Sequence, residues 1–595
     1  MNVLPSLLTG QLDIWTSAET EKKSGRGRSG GNGTSVYGIK KLRELILELA
    51  VRGKLVPQDP NDEPAGELLK RIQFEKAKMI AEGKIKKDKP LPPISDEEKP
   101  FELPRGWEWV RFGEACSYIQ RGKGPAYVDN SEFLVISQKC VRWTGLDLTQ
   151  ARFIDPESVS KYETIRLLCE GDVLWNSTGT GTIGRACLVP PLLDQQFLVA
   201  DSHVTVVRPI GLWSVFLCRW IQSPSVQSQI EGVASGTTNQ IELNTSTVIS
   251  RPLPLPPLPE QHRIVTKVDE LMALCDQLEN QHINAAEAHE KLVTHLLGML
   301  TQSQSTEDFS TNWQRIAAHF DMLFTTETSI DALKQTLLQL AVMGKLVPQD
   351  PNDEPARELL KRIRAEKDKL IAKGKIKKDK PLPPISDEEK PFELPSGWEW
   401  ASLDEISEVG TGATPLRKKP EYFNPASISW LTSGETSNPY IFETEQYVSP
   451  LALKETNLTI YPKGTLIVAM YGQGKTRGQI TELMIEATTN QACAAIRLIN
   501  PDEFHRKYVK LFFEKIYDEI RELAAGGAQP NLNLNKVKKT TLPLPPLAEQ
   551  HRIVTKIDEL MALCDQLKSR ITQASQLQKK LADGADGVVE QAIAS

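Results

Sequence analysis

Three groups of residues in this 595-residue chain have types and spacings that could do chemistry. Gly179, Gly181 and Gly184 spell GxGxxG directly after an apolar run, which is the spacing of a dinucleotide-binding turn. That chemistry needs a helix to come next, so that its N-terminus can hold the pyrophosphate, and RACLVPPLL reads as strand and turn instead. Gly474, Lys475 and Thr476 look like the end of a phosphate-binding loop, but the first glycine of GxxxxGK[ST] falls at Ala469. Neither pattern predicts a nucleotide site. The chain carries no HExxH, GxSxG or paired-histidine metal pattern, and no methyltransferase, helicase or nuclease signature. His282 and His289 read as polar residues that set the register of an apolar seam rather than as ligands. The eight cysteines, scattered singly, read as buried reduced thiols.

The third group is basic and amide residues in turn-rich segments, which suit nucleic acid: arginine and lysine position phosphates and read guanine, while asparagine and glutamine pair with adenine. Candidates in the first half are Arg121, Lys123, Lys139, Arg142 and Trp143, with Asn239 and Gln240 further on. In the second half they are Arg417, Lys418, Lys419, Lys475 and Arg477, with Asn531 and Asn533. The lysine runs Lys84–Lys89 and Lys375–Lys380 read as solvated surface. A formal net charge of −6 provides no global basic signature, so DNA contact has to rest on such local patches or on a basic partner. With 40% hydrophobic residues, no leader pattern and no apolar run of membrane-spanning length, the expectation is a soluble cytoplasmic protein of several domains.

The elements that must position these residues are duplicated. Leu253–Leu278 reads LPLPPLPEQHRIVTKVDELMALCDQL, and Leu542–Leu567 repeats it as LPLPPLAEQHRIVTKIDELMALCDQL. The proline-rich hexads read as extended hinges, each leading into a long helix. Apolar residues recur at alternating steps of four and three through Ile264, Val268, Leu271, Cys275 and Leu278, then more weakly to Leu292, Leu296 and Met299. The second copy runs through Ile553, Ile557, Leu560, Cys564 and Leu567 to Ile571. This is coiled-coil spacing, and two such helices in one chain are expected to pair.

A second repeat joins an amphipathic helix ending at Val51 to GKLVPQDPNDEPA, a short helix over Gly66–Ala81, GKIKKDKPLPPISDEEKPFELP and GWEW; it recurs from Thr336 to Trp400. Between the shared blocks, Val110–Pro252 and Ala401–Thr541 have similar length and little identity, and both read as small α/β domains. One scaffold holds two different inserts. If the helix at Ile39–Val51 packs on the end of the helix that begins near Glu549, the halves are circularly equivalent. The expected fold is mixed α/β: two α/β domains separated by long antiparallel coiled-coil helices in a pseudo-two-fold tandem repeat. Expected boundaries are a flexible tail at 1–35, a helical region at 36–103, inserts at 104–258 and 396–547, a central region at 259–395 and a final helix at 548–595.

The doubled LPLPPLxEQHRIVTKxDELMALCDQL, the doubled LAVxGKLVPQDPNDEPA and the GWEW entry to each insert resemble the specificity subunits of type I restriction-modification systems, in their longer form with an extended N-terminal repeat. The resemblance implies that each insert is a target recognition domain reading half of a bipartite DNA site, spaced by an antiparallel coiled coil. It implies a non-catalytic chain that binds double-stranded DNA and docks two methylation subunits and then restriction subunits. The cofactors S-adenosylmethionine, ATP and magnesium are then expected on those partners and none on this chain. The alternative from the residues alone is a coiled-coil adaptor that binds two protein partners.

Overall fold

The computed structural model describes residues 15–16, 20–21, 35–87, 89–179, 181–191, 197–233, 243–377, 382–472, 476–520 and 532–594. It divides into two compact units, residues 1–286 with 574–595, and residues 287–573. Asn239, Gln240, Lys475 and Asn531 lie outside the described residues, as does most of the expected tail. Within that tail, Trp15 is buried in the core of the first unit, and Thr20–Glu21 pair with Ser35–Val36.

In the first unit α1 (Tyr37–Val51) buries Ile39, Leu42, Leu45, Ile46 and Leu49, a face repeating every three to four residues. It ends where Gly53 takes φ +66°. A Cβ there would meet the ring of Pro104 at 2.5 Å and that of Trp107 at 2.8 Å, so the glycine of GKLV makes room for GWEW. Gly344 repeats the arrangement with Pro395 and Trp398. Next come α2 (Ala65–Ala81) and the long α3 (Leu258–Gln302). The second unit contains α4 (Glu327–Val342), α5 (Ala356–Ala372), α6 (Glu503–Lys515) and the start of the long α7 (Leu547–Ala594).

Ile264, Val268 and Cys275 of α3 are buried in one core with α1, and Leu271 and Leu278 pack against it. Arg43 of α1 pairs with Asp276 and Glu279 at 2.6 and 2.8 Å. In the second unit Ile553, Ile557 and Cys564 share a core with α4 and with Val293, Leu297 and Leu300 of α3, while Leu560, Leu567 and Ile571 pack at its edge. Lys568 reaches Asp331 at 2.8 Å. The seam expected at Leu292, Leu296 and Met299 is shifted by one residue: Leu292 is 49% exposed, and Val293, Leu297 and Leu300 are buried. A strict heptad drifts roughly 20° per repeat from a straight helix of 3.6 residues per turn, and Val293 lies about five such turns beyond Cys275. Tyr37 at the start of α1 hydrogen-bonds Asp583 and carries Lys579 over its ring, so α1 does meet the end of α7.

The hexads are not hinges. Pro252–Leu255 is a strand antiparallel to Glu108–Arg111, and Thr541–Leu544 pairs in the same way with Glu399–Ser402. Each insert is therefore closed at its base by a ribbon of its own entry and exit, a neck. Prolines at alternate positions are compatible with such a strand, because every second N–H of a two-stranded ribbon points away from the partner.

The two inserts share a topology. In the first, an antiparallel sheet runs in the order Ala186–Leu188, Val173–Asn176, Val204–Pro209, Cys116–Arg121. A second sheet places Leu198–Ala200 parallel to Leu134–Ile136, followed by Arg152–Ile154 and Tyr127–Val128. In the second insert Ile480–Leu483, Leu466–Ala469, Cys493–Leu498 and Ser407–Thr411 repeat the first sheet, with Tyr440–Ile441 added at its edge. Thr488–Thr489, parallel to Ile428–Leu431, and Tyr447–Val448 repeat the second sheet.

Candidate nucleic-acid interface

The repeated motifs meet at the base of each insert. The Trp107 indole N–H donates to Glu260 at 2.9 Å in a buried contact, and Gln58 donates to the other carboxylate oxygen at 3.1 Å. Arg263 holds Asp62 at 2.6 Å. The second unit repeats this with Trp398 to Glu549 at 2.9 Å, Gln349 to Glu549 at 3.2 Å and Arg552 to Asp353 at 2.7 Å. Residues far apart in sequence thus lock the neck, the PQDPND loop and the first turn of the long helix together. Burial pushes the carboxyls of Glu260 and Glu549 up, opposed by the tryptophan and glutamine donors and the neighbouring arginine.

The adjoining glutamines anchor the inserts. Gln261 accepts the Trp213 backbone N–H at 3.0 Å, whereas Gln550 accepts from His505 Nδ1 at 2.9 Å. His505 is fully buried and held below the usual histidine value by that burial. Its Nε2 has no hydrogen-bond partner among the described residues, so protonation would bury an unpaired cation. A depressed histidine binds fewer protons folded than unfolded, so its contribution is present above pH 6.5 and is lost as pH falls below it. Urea unfolding at pH 7.5 and 5.5 is expected to show the wild type losing stability relative to His505→Gln, by up to about 1.4 kcal/mol per pH unit. Equal changes in both proteins would contradict this.

The sequence-selected basic residues fall into two classes. Some are engaged by the protein itself: Arg121 donates to the Leu243 carbonyl at 3.0 Å. Lys419 meets the Tyr422 hydroxyl at 3.1 Å and Glu455 at 3.7 Å. Asn533 caps the helix Leu534–Lys538 by accepting from Lys536 N–H at 2.9 Å. The others reach the surface. Lys123, Lys139, Arg417 and Lys418 are exposed, and Trp143 is 47% exposed at the tip of the hairpin Val141–Arg142/Gly145–Leu146, while Arg142, 3.9 Å from Asp147, and Arg477 are half-buried and also have contacts within the protein. The residues after Gly179, Gly181 and Gly184 form the strand Ala186–Leu188, not a helix, and all three glycines have positive φ.

Sequence reading passed over Arg185, just after that turn, and Arg152 lying over Tyr127 at 3.6 Å. It also passed over the exposed Tyr440, Phe442, Tyr447 and Tyr471 of the second insert. Exposed aromatics beside basic groups are suited to bases and sugars, but sequence does not distinguish them from core aromatics.

Two like-folded, unlike-surfaced domains on duplicated necks define a class of paired recognition modules. The type I restriction modification DNA specificity domain matches residues 104–288 and 395–575, and the chain belongs to that family. The type I restriction enzyme EcoEI specificity subunit of Escherichia coli is 40% identical over 97% of this chain and 98% of its own length. The EcoAI specificity subunit of Escherichia coli is 39% identical over the same shares. The solved HsdS subunit from Thermoanaerobacter tengcongensis is 19% identical, with a TM-score of 0.39 over 82% of this chain and 98% of that one. Among the described residues no helix is long and apolar enough to cross a membrane.

Proposed function

We propose that this chain is the DNA sequence-specificity subunit of a type I restriction-modification complex. It reads a bipartite, asymmetric site, one half through the recognition domain at 104–258 and the other through that at 396–547. The observation that carries this reading is a pair of unlike inserts on necks of the same register that share their Glu-Trp and Leu-Pro-Leu residues, in a chain of the DNA specificity family. Rigid helices set the separation of half-sites, as in dimeric DNA readers; α3 and α7 have 45 and 48 residues, each roughly 70 Å long.

The chain itself does no chemistry. It docks two methylation subunits, which carry S-adenosylmethionine, and restriction subunits that use ATP and magnesium, in the cytoplasm. An open groove of about 430 Å³ beside the second lock is lined by Val347, His551, Arg552, Thr555 and Lys556. The same residue types recur in the first half at Val56, His262, Arg263, Thr266 and Lys267. The DNA-facing residues are Lys123, Lys139, Arg142 and Trp143 in one insert, and Arg417, Lys418 and Arg477 in the other.

Methylated adenines mapped in DNA from cells expressing this chain with its methylation subunit are expected to lie in a split motif of constant gap. The motif is absent with the methylation subunit alone. An assembled complex that leaves no such motif would point to the protein-adaptor reading.

A further inference from the structure

We propose that Arg142 and Arg185 clamp one backbone phosphate of the half-site read by the first insert, with Trp143 packed against the adjoining sugar; this rests on the DNA-specificity reading above. The two arginines come from segments distant in sequence that the fold ties into one platform. Arg142 lies in the hairpin Val141–Arg142/Gly145–Leu146, and its backbone N–H points at the sulfur of Cys187 in the edge strand Ala186–Leu188. Arg185 immediately precedes that strand and donates to the Gly181 carbonyl at 2.7 Å, which fixes one side of its guanidinium.

The segment before the hairpin is pinned to the same turn. Asn176 Nδ2 donates to the carbonyls of Gln138 and Thr182 at 2.9 and 3.1 Å, and the Thr182 hydroxyl donates to the Gln138 side chain at 3.1 Å. Lys139, next in the chain, is exposed.

The electrostatics of this platform are those of an anion site. The hairpin packs against the strand that Arg185 leads into, and burial, with the positive charge of Arg142, holds the Arg185 guanidinium below the ordinary arginine pKa while leaving it protonated. Among the described residues no carboxylate pairs with Arg185, and the one that pairs with Arg142, Asp147, is at 3.9 Å. Like charges held together by the backbone are relieved by an anion between them, and planar guanidiniums match the oxygens of a phosphate diester. Trp143, the neighbour of Arg142 at the hairpin tip, is 47% exposed and adds apolar surface to this edge without adding charge.

The test uses the complex of the full chain with its methylation subunit and a duplex carrying the motif obtained by methylation mapping. A chain that directs no motif would end the DNA-specificity reading before this experiment begins. Arg185→Gln and Arg142→Gln are each expected to weaken binding roughly tenfold and to reduce the slope of log affinity against log salt by about one. The mapped motif should stay unchanged in both halves. Trp143→Ala should weaken binding several-fold and leave the slope as it was. Lys161→Gln removes one exposed charge elsewhere in the same insert and serves as the comparison. Arginine variants whose slopes change no more than that of Lys161→Gln would overturn the clamp. So would loss of base preference in one half-site, which would make these arginines base readers.

Discussion

Trp107→Ala is expected to remove about 3–5 kcal/mol from the first unit, and Trp398→Ala as much from the second. Each indole is 5% exposed, sits against the glycine that follows α1 or α4, Gly53 or Gly344, and has an aromatic neighbour edge-on at 6.4 Å, Phe216 or Tyr508. Beyond the cavity, each variant strips a hydrogen-bond donor from a buried carboxylate, Glu260 or Glu549. Phenylalanine keeps most of the packing and loses only the N–H, so Trp107→Phe should destabilise by about 1–3 kcal/mol. Urea unfolding coupled to limited proteolysis identifies the unit that opens first. If Trp107→Ala opened the second unit before the first, the lock would not be local to its own neck.

Exchanging Val110–Pro252 for the insert of a related subunit should change one half-site completely and leave the other and the gap between them unaltered. The neck makes this exchange feasible: its outer pairs, Trp109 with Pro254 and Glu108 with Leu255, stay in place, as do the tryptophan–glutamate lock and the long helix. One residue inside the exchanged segment also belongs to the scaffold. Arg111 is 3% exposed and its guanidinium donates to the carbonyls of Pro92, Pro93 and Ser250 and to both carboxylate oxygens of Glu98. Arg111 and the Ser95 capping contacts hold the Glu98 carboxyl at about 2. The second neck has Ser402 in this place, so a donor insert without the arginine would leave the PLPP segment unfastened. A chimera retaining Arg111 should therefore fold better than one lacking it while directing the same new motif. Methylation mapping of both chimeras provides the check, and a change in both half-sites would defeat the modular reading.

Much of the frame was legible because its signals are local. Apolar residues three and four apart in α1, α2 and the starts of α3 and α7 mark a buried face, whatever the partner. The two inserts, read as small α/β domains, each carry two sheets together with helices. The candidate interface was less legible. Arg121, Lys419 and Asn533 have the composition of DNA contacts, yet a carbonyl, a tyrosine and a helix N-terminus occupy them. Arg185 was hidden in a glycine motif that suggested a nucleotide.

By itself the sequence determined the duplication, the two unlike inserts, the long helices and the family, since repeats, periodicity and motifs are properties of neighbouring residues. Tertiary structure alone decided that the proline hexads are neck strands, that tryptophan, glutamate and glutamine from three separated motifs form one lock, and which basic side chains remain outward. A hydrogen bond or ion pair is satisfied by whatever the fold brings within about 3 Å, and within the two locks the partners are up to about two hundred residues apart in the chain.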